Sequence, residues 1–200
     1  MNPAVLKNLS YGMYVIGTKY NGRPNACVAN SVIQISSSDP EKVLIALTKD
    51  THSCTAIREN GIFTISVLST DTPASVIGAL GLVSGKNADK LKNIRHKVLI
   101  EGVPVVKENT CCWFLCKVIS GMDVGQEMVF AAEIIAGSDS AIGTPMTYDF
   151  YRSEMHGLSP VGSPTYVPPE STFDKSSGES FVCSVCGYVY SDPNFSFEEL

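Results

Sequence analysis

No apolar run in this 200-residue chain approaches the roughly 18 residues that a membrane-spanning helix needs. The first ten residues carry no apolar stretch of signal-peptide length, so the chain reads as a cytoplasmic protein with no membrane association. Basic residues number 15 against 20 acidic ones and neither cluster nor alternate with aromatics, so the electrostatic footprint of nucleic-acid binding is missing. No Gly-x-Gly-x-x-Gly sequence is present, which excludes a Rossmann dinucleotide site. Gly81 and Gly85-Lys86 are spaced one residue too closely for a nucleotide P-loop, and Asn87 stands where Ser or Thr must follow. Seven cysteines, an odd count that includes the adjacent Cys111 and Cys112, make a poor disulfide framework and fit a reducing compartment. His52, His96 and His156 have no cysteine or carboxylate partner at ligand spacing and default to surface or capping roles.

What the chain does have is enough apolar matter, 44%, for one core of about 150 to 170 residues with an appendage. Short β-branched runs broken by Gly, Asn, Asp and Ser predict strands over 12–20, 26–36, 43–47, 62–67, 110–120 and 127–136. Six such strands imply a barrel or sandwich. Asn21-Gly22 predicts a tight hairpin between the first two, and residues 121–125 predict another between the last two. One helix is predicted to start at Thr51 as N-cap and stop at Asn60-Gly61. A second follows Thr72, with Pro73 at its first helical position, and reaches about Leu80.

Residues 159–180 hold Pro160, Pro164, Pro168 and Pro169 among Ser, Thr and Gly, the chemistry of a linker. The expected organisation is therefore a main domain over 1–158, a linker over 159–180 and a small module over 181–200. That module contains Cys183 and Cys186, a metal-ligand spacing followed by Gly187, where the backbone is free to fold back toward the sulfurs. Two thiolates do not close a four-sulfur site, so the pair alone is an incomplete iron centre; zinc binding by the pair is a competing reading.

Two segments of the main domain carry chemistry. Asn25, Ala26, Cys27, Val28, Ala29, Asn30 and Ser31 are small and polar residues running from the first hairpin into a strand. Lys49, Asp50, Thr51, Ser53 and Thr55 lie where a strand ends and a helix opens, and unpaired helix N–H groups with a lysine and hydroxyls suit a phosphate. The same residues also serve as an ordinary cap and first turn. Cys27 reads as a small buried hydrophobe more readily than as a redox group. Cys54, Cys111, Cys112 and Cys116 read as packing, Trp113 as core or subunit interface, and Tyr148 and Tyr151 either as a cover for a bound ligand or as a hairpin-end cluster.

Five motifs occur in order: Gly12-Met-Tyr-Val-Ile-Gly-Thr18, Asn25 to Ser31, Lys49 to Ile57, Phe63-Thr-Ile-Ser-Val67, and Ser84-Gly85-Lys86 with Asp89-Lys90. Met146-Thr-Tyr148 with Tyr151 completes the set. Over roughly residues 5 to 166 the chain resembles the flavin reductase-like, FMN-binding split-barrel family. It is most similar to the branch in which such a domain precedes a rubredoxin domain, the high-molecular-weight rubredoxins, with flavoredoxins as near relatives. Cys183 to Tyr190 resembles the first half of a rubredoxin. The resemblance implies a mainly β fold, an antiparallel Greek-key split barrel with a few helices and a partial rubredoxin-like tail.

It also implies FMN at a homodimer interface, with residues 25–31 on the ring edge and ribityl chain. Lys49, Thr51, Ser53 and Thr55 would hold the phosphate, and Ser84, Gly85 and Lys86 would supply a further anion-binding loop. The implied function is an NAD(P)H oxidoreductase passing electrons through FMN to a rubredoxin-type iron centre and on to a flavodiiron protein or another acceptor. Iron would require a second Cys-x-x-Cys. The alternative is a non-catalytic, flavoredoxin-like carrier reduced by a protein donor.

Overall fold

The structure, a computed structural model, describes residues 2–85, 88–160, 162–166, 181–182 and 189–190. Strand β1 (Tyr14–Tyr20) turns at Asn21 and Gly22, whose φ angles of 48° and 74° are those a two-residue hairpin requires, into β2 (Arg23–Ala29). Two residues later β3 (Val32–Ser36) begins, followed by β4 (Lys42–Thr48), helix α1 (His52–Asn60) and β5 (Ile62–Leu68). Helix α2 (Ala74–Gly81) leads to the short β6 (His96–Val98) and β7 (Pro104–Val106). The long hairpin of β8 (Thr110–Asp123) and β9 (Glu127–Gly137) and helix α3 (Tyr148–Ser153) follow. A last antiparallel pair, β10 (Phe181–Val182) and β11 (Val189–Tyr190), brackets the connection that contains Cys183 and Cys186, which lie outside the described residues.

Seven strands form one sheet in the order β2-β1-β5-β8-β9-β4-β3, with every neighbouring pair antiparallel. Its edge strands β2 and β3 are joined only by Asn30 and Ser31, so the sheet must curl until its two edges meet at that point. They meet without pairing, which makes the barrel a split one. Ser31 fixes the junction by accepting a hydrogen bond from the Ala46 N–H at 3.0 Å. Because β3 pairs with β4 only as far as Ile45, residues 46–48 of β4 face β2 across the opening.

Alternation fills the barrel. Val43, Ile45 and Leu47 point inward from β4 and meet Ile16, Phe63, Ile65, Cys116 and Phe130, with Cys54 and Ile57 of α1 closing one end. Burying Phe63 or one of these aliphatics contributes about 1.5–3 kcal/mol. A second core lies outside β1, where Met13, Val15, Ala26 and Leu68 pack against Ile77 and Leu80 of α2, Val106 and Tyr148. β1 is thus covered on both faces, the reason its residues 15–18 are all buried.

Helix α1 begins where predicted: the Thr51 hydroxyl accepts from the Cys54 N–H at 3.2 Å, and Gly61 ends the helix at φ 66°. Pro73 is the extended N-cap of α2 rather than its first helical residue, since its carbonyl accepts from Val76 while the Thr72 hydroxyl donates to the Asn109 carbonyl. The single strand expected over 26–36 is two strands. The crossing at Asn30-Ser31 carries no Gly or Pro to mark it. The three-residue strands β6 and β7 are too short to leave a period.

Candidate functional site

The two chemistry-bearing segments meet across the opening of the barrel. β2 and the first turn of α1 lie side by side, and Ser53, only 3% exposed, sits between them. Asn25 Nδ2 lies 3.4 Å from Ser53 Oγ and 3.4 Å from Thr18 Oγ1. Cys27 hydrogen-bonds Ser53 as well; burial raises its thiol pKa, offset in part by that bond and by Lys90. Cys27 therefore stays a neutral thiol. Burial likewise raises Cys54 and pushes Cys116 up to about 12, so these thiols act as packing groups.

Further along the opening is a cavity of about 310 Å³, at the small end of ligand-site volumes. Cys27 to Asn30 form one wall and Ala46 to Thr48 with Thr51 the other, while Ile77 and Gly81 of α2, Leu82 just after it, and Tyr148 and Tyr151 of α3 supply an apolar floor. Tyr148 belongs both to the cavity wall and to an aromatic cluster. It stacks with Tyr151 at 6.1 Å, meets Tyr11 edge-on, carries the Arg152 guanidinium 5.1 Å over its ring, and also lines the cavity.

A strap crosses the mouth. The chain after α3 returns over the cavity, with the Tyr151 hydroxyl donating to the Leu158 carbonyl, Tyr148 and Ser159 sharing a hydroxyl contact, Thr48 Oγ1 donating to the Gly162 carbonyl at 3.0 Å, and Asn30 Nδ2 to Thr165 Oγ1 at 2.6 Å. Among the described residues, Ser163 Oγ is buried on this strap without a hydrogen-bond partner. Linker composition concealed this element from the sequence reading.

Other predicted residues are placed as follows. Ala26 and Val28 turn toward the outer core, Ala26 fully buried there. Ser31 donates to Asn30 Oδ1. Asp50 is exposed, and Thr55 half-buried in α1. The Thr51 hydroxyl is engaged in capping and donates to the Thr48 carbonyl at 2.7 Å. Lys49 is ion-paired with Asp123 at the tip of the β8–β9 hairpin, and hydrogen bonds from Lys49 and the Gly125 N–H hold the Asp123 carboxyl below its usual range. Gly85 reaches Asn25 so closely that a Cβ there would stand 2.6 Å from Asn25 Oδ1. Ser84 adjoins it and is exposed, and Lys86 lies outside the described residues.

A second groove, about 1,020 Å³, opens beyond Asn25. Tyr20, Arg23, His52, Lys90, Lys92 and His96 are among its lining residues, and the sequence reading assigned none of them to a site. Lys90 and His52 fell inside quoted motifs, Asp89-Lys90 and Lys49 to Ile57, and these were their sequence signals.

A split barrel whose opening joins an apolar cavity to a cationic groove is a ligand-binding architecture, and residues 6–159 match the flavin reductase like domain; the chain belongs to that family. It is 32% identical over 194 residues to the high molecular weight rubredoxin of Moorella thermoacetica, covering 96% of this chain and 84% of that protein. A ferric-chelate reductase (NAD(P)H) of Archaeoglobus fulgidus is 28% identical over 166 residues, 83% of this chain and 98% of that one. Among solved structures, flavoredoxin from Methanosarcina acetivorans superposes with a TM-score of 0.60 at 20% identity, over 68% of this chain and 74% of its own.

Proposed function

We propose that the chain is an FMN-dependent NAD(P)H oxidoreductase of the cytoplasm that delivers electrons to a rubredoxin-type iron centre and, through it, to a flavodiiron-type partner. The observation that carries this reading is the convergence of residues 25–30, 48–53, 84–85 and 148 on one opening. The residues fit the cofactor: an apolar slot bounded by Cys27, Ala29 and Ala46 suits a planar ring, and the orphaned Ser163 hydroxyl offers a hydrogen bond at its edge. Ser53, Asn25 and Gly85 stand together where a terminal phosphate would leave the slot. FMN, when bound, supplies hydride acceptance and single-electron release, so no general acid or base is required of the protein. Asn30 and Thr48 would orient the ring, and the strap would exclude water from it.

The other parts of the reading concern partners. Ile33, Leu44 and Ala131 form one row across the outer face of β3, β4 and β9, and Ala46, Val129 and Met122 form the next row across β4, β9 and β8. Ile33 and Met122 are 61% and 58% exposed. Ala46 also lines the cavity, so this apolar face runs into the site, and a second copy seated there would complete its wall. Cys183 and Cys186 supply half of a tetrahedral sulfur site and bind iron only when another cysteine pair joins them.

A second reading, an electron carrier reduced by a protein donor, is favoured by the strap, which narrows the route by which a nicotinamide would enter. Stopped-flow mixing with NADH and NADPH separates the two, because a carrier shows no fast bleaching of the flavin. The purified protein is expected to be yellow, with FMN near one per chain and FAD held more weakly. Extracted FAD, or no binding of added FMN, would remove the assignment.

Lys49 gives a sharper test of the phosphate end. Lys49→Ala should weaken FMN by about 1.5–3 kcal/mol, the scale of a lost charge-assisted hydrogen bond. Asp123→Ala releases Lys49 from its ion pair and should leave FMN affinity equal or higher. Matching losses in both variants in a fluorescence titration would mean that the pair itself, and not the lysine, serves the site.

A further inference from the structure

Charge is divided unevenly along this chain. Residues 167–200 hold six of its 20 acidic residues, Glu170, Asp174, Glu179, Asp192, Glu198 and Glu199, against one basic residue, Lys175, and so account for the whole net charge of -5. Residues 1–166 balance, with 14 of each sign. Within that neutral domain the large groove beyond Asn25 has cations to spare. Lys42, Lys49 and Arg152 are matched elsewhere with Glu133, Asp123 and Asp149, whereas Arg23, Lys90 and Lys92 line the groove and, among the described residues, make no ion pair. The one carboxylate in the lining, Asp89, accepts from the Leu91 N–H. Arg23 and Lys92 are exposed. Lys90 is half-buried, and burial lowers its pKa, the condition of a cation withdrawn from water with no anion beside it.

Reach decides whether the acidic segment and the groove meet within one chain. Before that segment the chain is anchored at Thr165, whose hydroxyl oxygen accepts from Asn30 Nδ2 at 2.6 Å. From Asn30 back along β2 to Arg23 is about 24 Å, at roughly 3.4 Å per residue. An extended chain spans at most about 3.5 Å per residue, so from Thr165 Glu170 stops at about 18 Å, whereas Asp174 reaches about 32 Å and Glu179 about 49 Å. We propose that the acidic C-terminal segment of this chain docks in the groove, with Asp174 and Glu179 as the anions that meet Arg23, Lys90 and Lys92. A single exposed ion pair is weak, but the tether presents the carboxylates at an effective concentration on the order of millimolar, and three cations act together. Docking holds Cys183, which follows Glu179 closely in sequence, within about 14 Å of the groove and so near the opening of the barrel. Charge and reach carry the proposal, which does not rest on the oxidoreductase reading.

The test uses the full chain and a zero-length carbodiimide, which joins a lysine amine to a carboxylate only where the two touch, with the products read by mass spectrometry. Lys90 or Lys92 is expected to be joined to Asp174 or Glu179, while the exposed Lys107 and Lys117 are not. A mixture of 15N-labelled and unlabelled protein should give these products with one label each, the mark of contact within a chain. Raising NaCl from about 20 mM to about 500 mM shortens the screening length from about 20 Å to about 4 Å and should cut the yield roughly fivefold. Arg23→Ser should lower coupling at Lys90 roughly twofold or more, although arginine itself is not coupled. Arg23→Glu with Lys92→Glu should abolish it, and adding Asp174→Lys with Glu179→Lys to that variant should restore coupling between positions 23 or 92 and positions 174 or 179. Recovery by the charge swap also reports that the variant is folded. No coupling at Lys90 or Lys92, coupling spread evenly over Lys107 and Lys117, or a yield indifferent to salt and to the swap overturns the proposal. Products that mix the two labels overturn it as well, since they would put the segment in the groove of a second copy.

Discussion

Gly17→Ala is expected to destabilise the fold by about 3–5 kcal/mol, although it adds a single methyl group. A Cβ at position 17 would lie 2.0 Å from the Pro104 carbonyl oxygen and 2.3 Å from Thr64 Oγ1. Neither neighbour has room to give. The Thr64 hydroxyl, fully buried, donates to that same carbonyl at 2.5 Å, and Pro104, Val105 and Val106 of β7 are buried against the barrel. Accommodating the methyl must therefore displace β7 and strand a buried hydroxyl, two costs that add. Denaturant midpoints measured at unchanged slope would report the loss. A change below 1 kcal/mol would mean that β7 does not sit against β1 as described.

The second large effect concerns assembly. Ile33→Glu combined with Met122→Glu should convert a homodimer into a 21.5 kDa monomer and strip it of most of its flavin. The two side chains stand in adjacent rows of the apolar outer face, and a carboxylate in each would be desolvated without a partner at a two-fold contact. Both residues are already exposed in the single chain, so its own fold should tolerate the change. Light scattering with absorbance at the flavin band would follow mass and cofactor together. A wild-type monomer that holds FMN tightly would defeat the expectation, and so would a double variant that remained a yellow dimer.

Much of the barrel was legible because its strands alternate and its turns are marked. Asn21-Gly22 and the cap at Thr51 were found by chemistry that acts over a few residues, and the structure has both. The crossing at Asn30-Ser31 was not, since what makes it a boundary is the pairing of β3 with β4 and of β2 with β1, a fact about distant residues. The site divides in the same way. The segments 25–31 and 49–55 were visible as residue types, but their juxtaposition came only through resemblance. The Lys49–Asp123 ion pair spans 74 positions and leaves no local trace. The contacts of residues 159–165 with the cavity mouth had no signal in the sequence, because their prolines and serines lack a period and their anchors, Asn30, Thr48 and Tyr148, lie elsewhere in the chain.

The strand order has a kinetic consequence. Three neighbouring pairs, β1–β2, β3–β4 and β8–β9, are hairpins that close over short loops, but β5 has no local partner. Its neighbours β1 and β8 each lie more than 40 residues away, so β5 joins the sheet only after long-range loop closure. Until then Ile62-Phe-Thr-Ile-Ser-Val-Leu68 is an uncharged, β-prone strand with no proline and both edges unpaired. Such a segment pairs as readily with its copy in another chain as with its own neighbours. Dilution during refolding is therefore the lever that governs how much of the chain reaches the barrel.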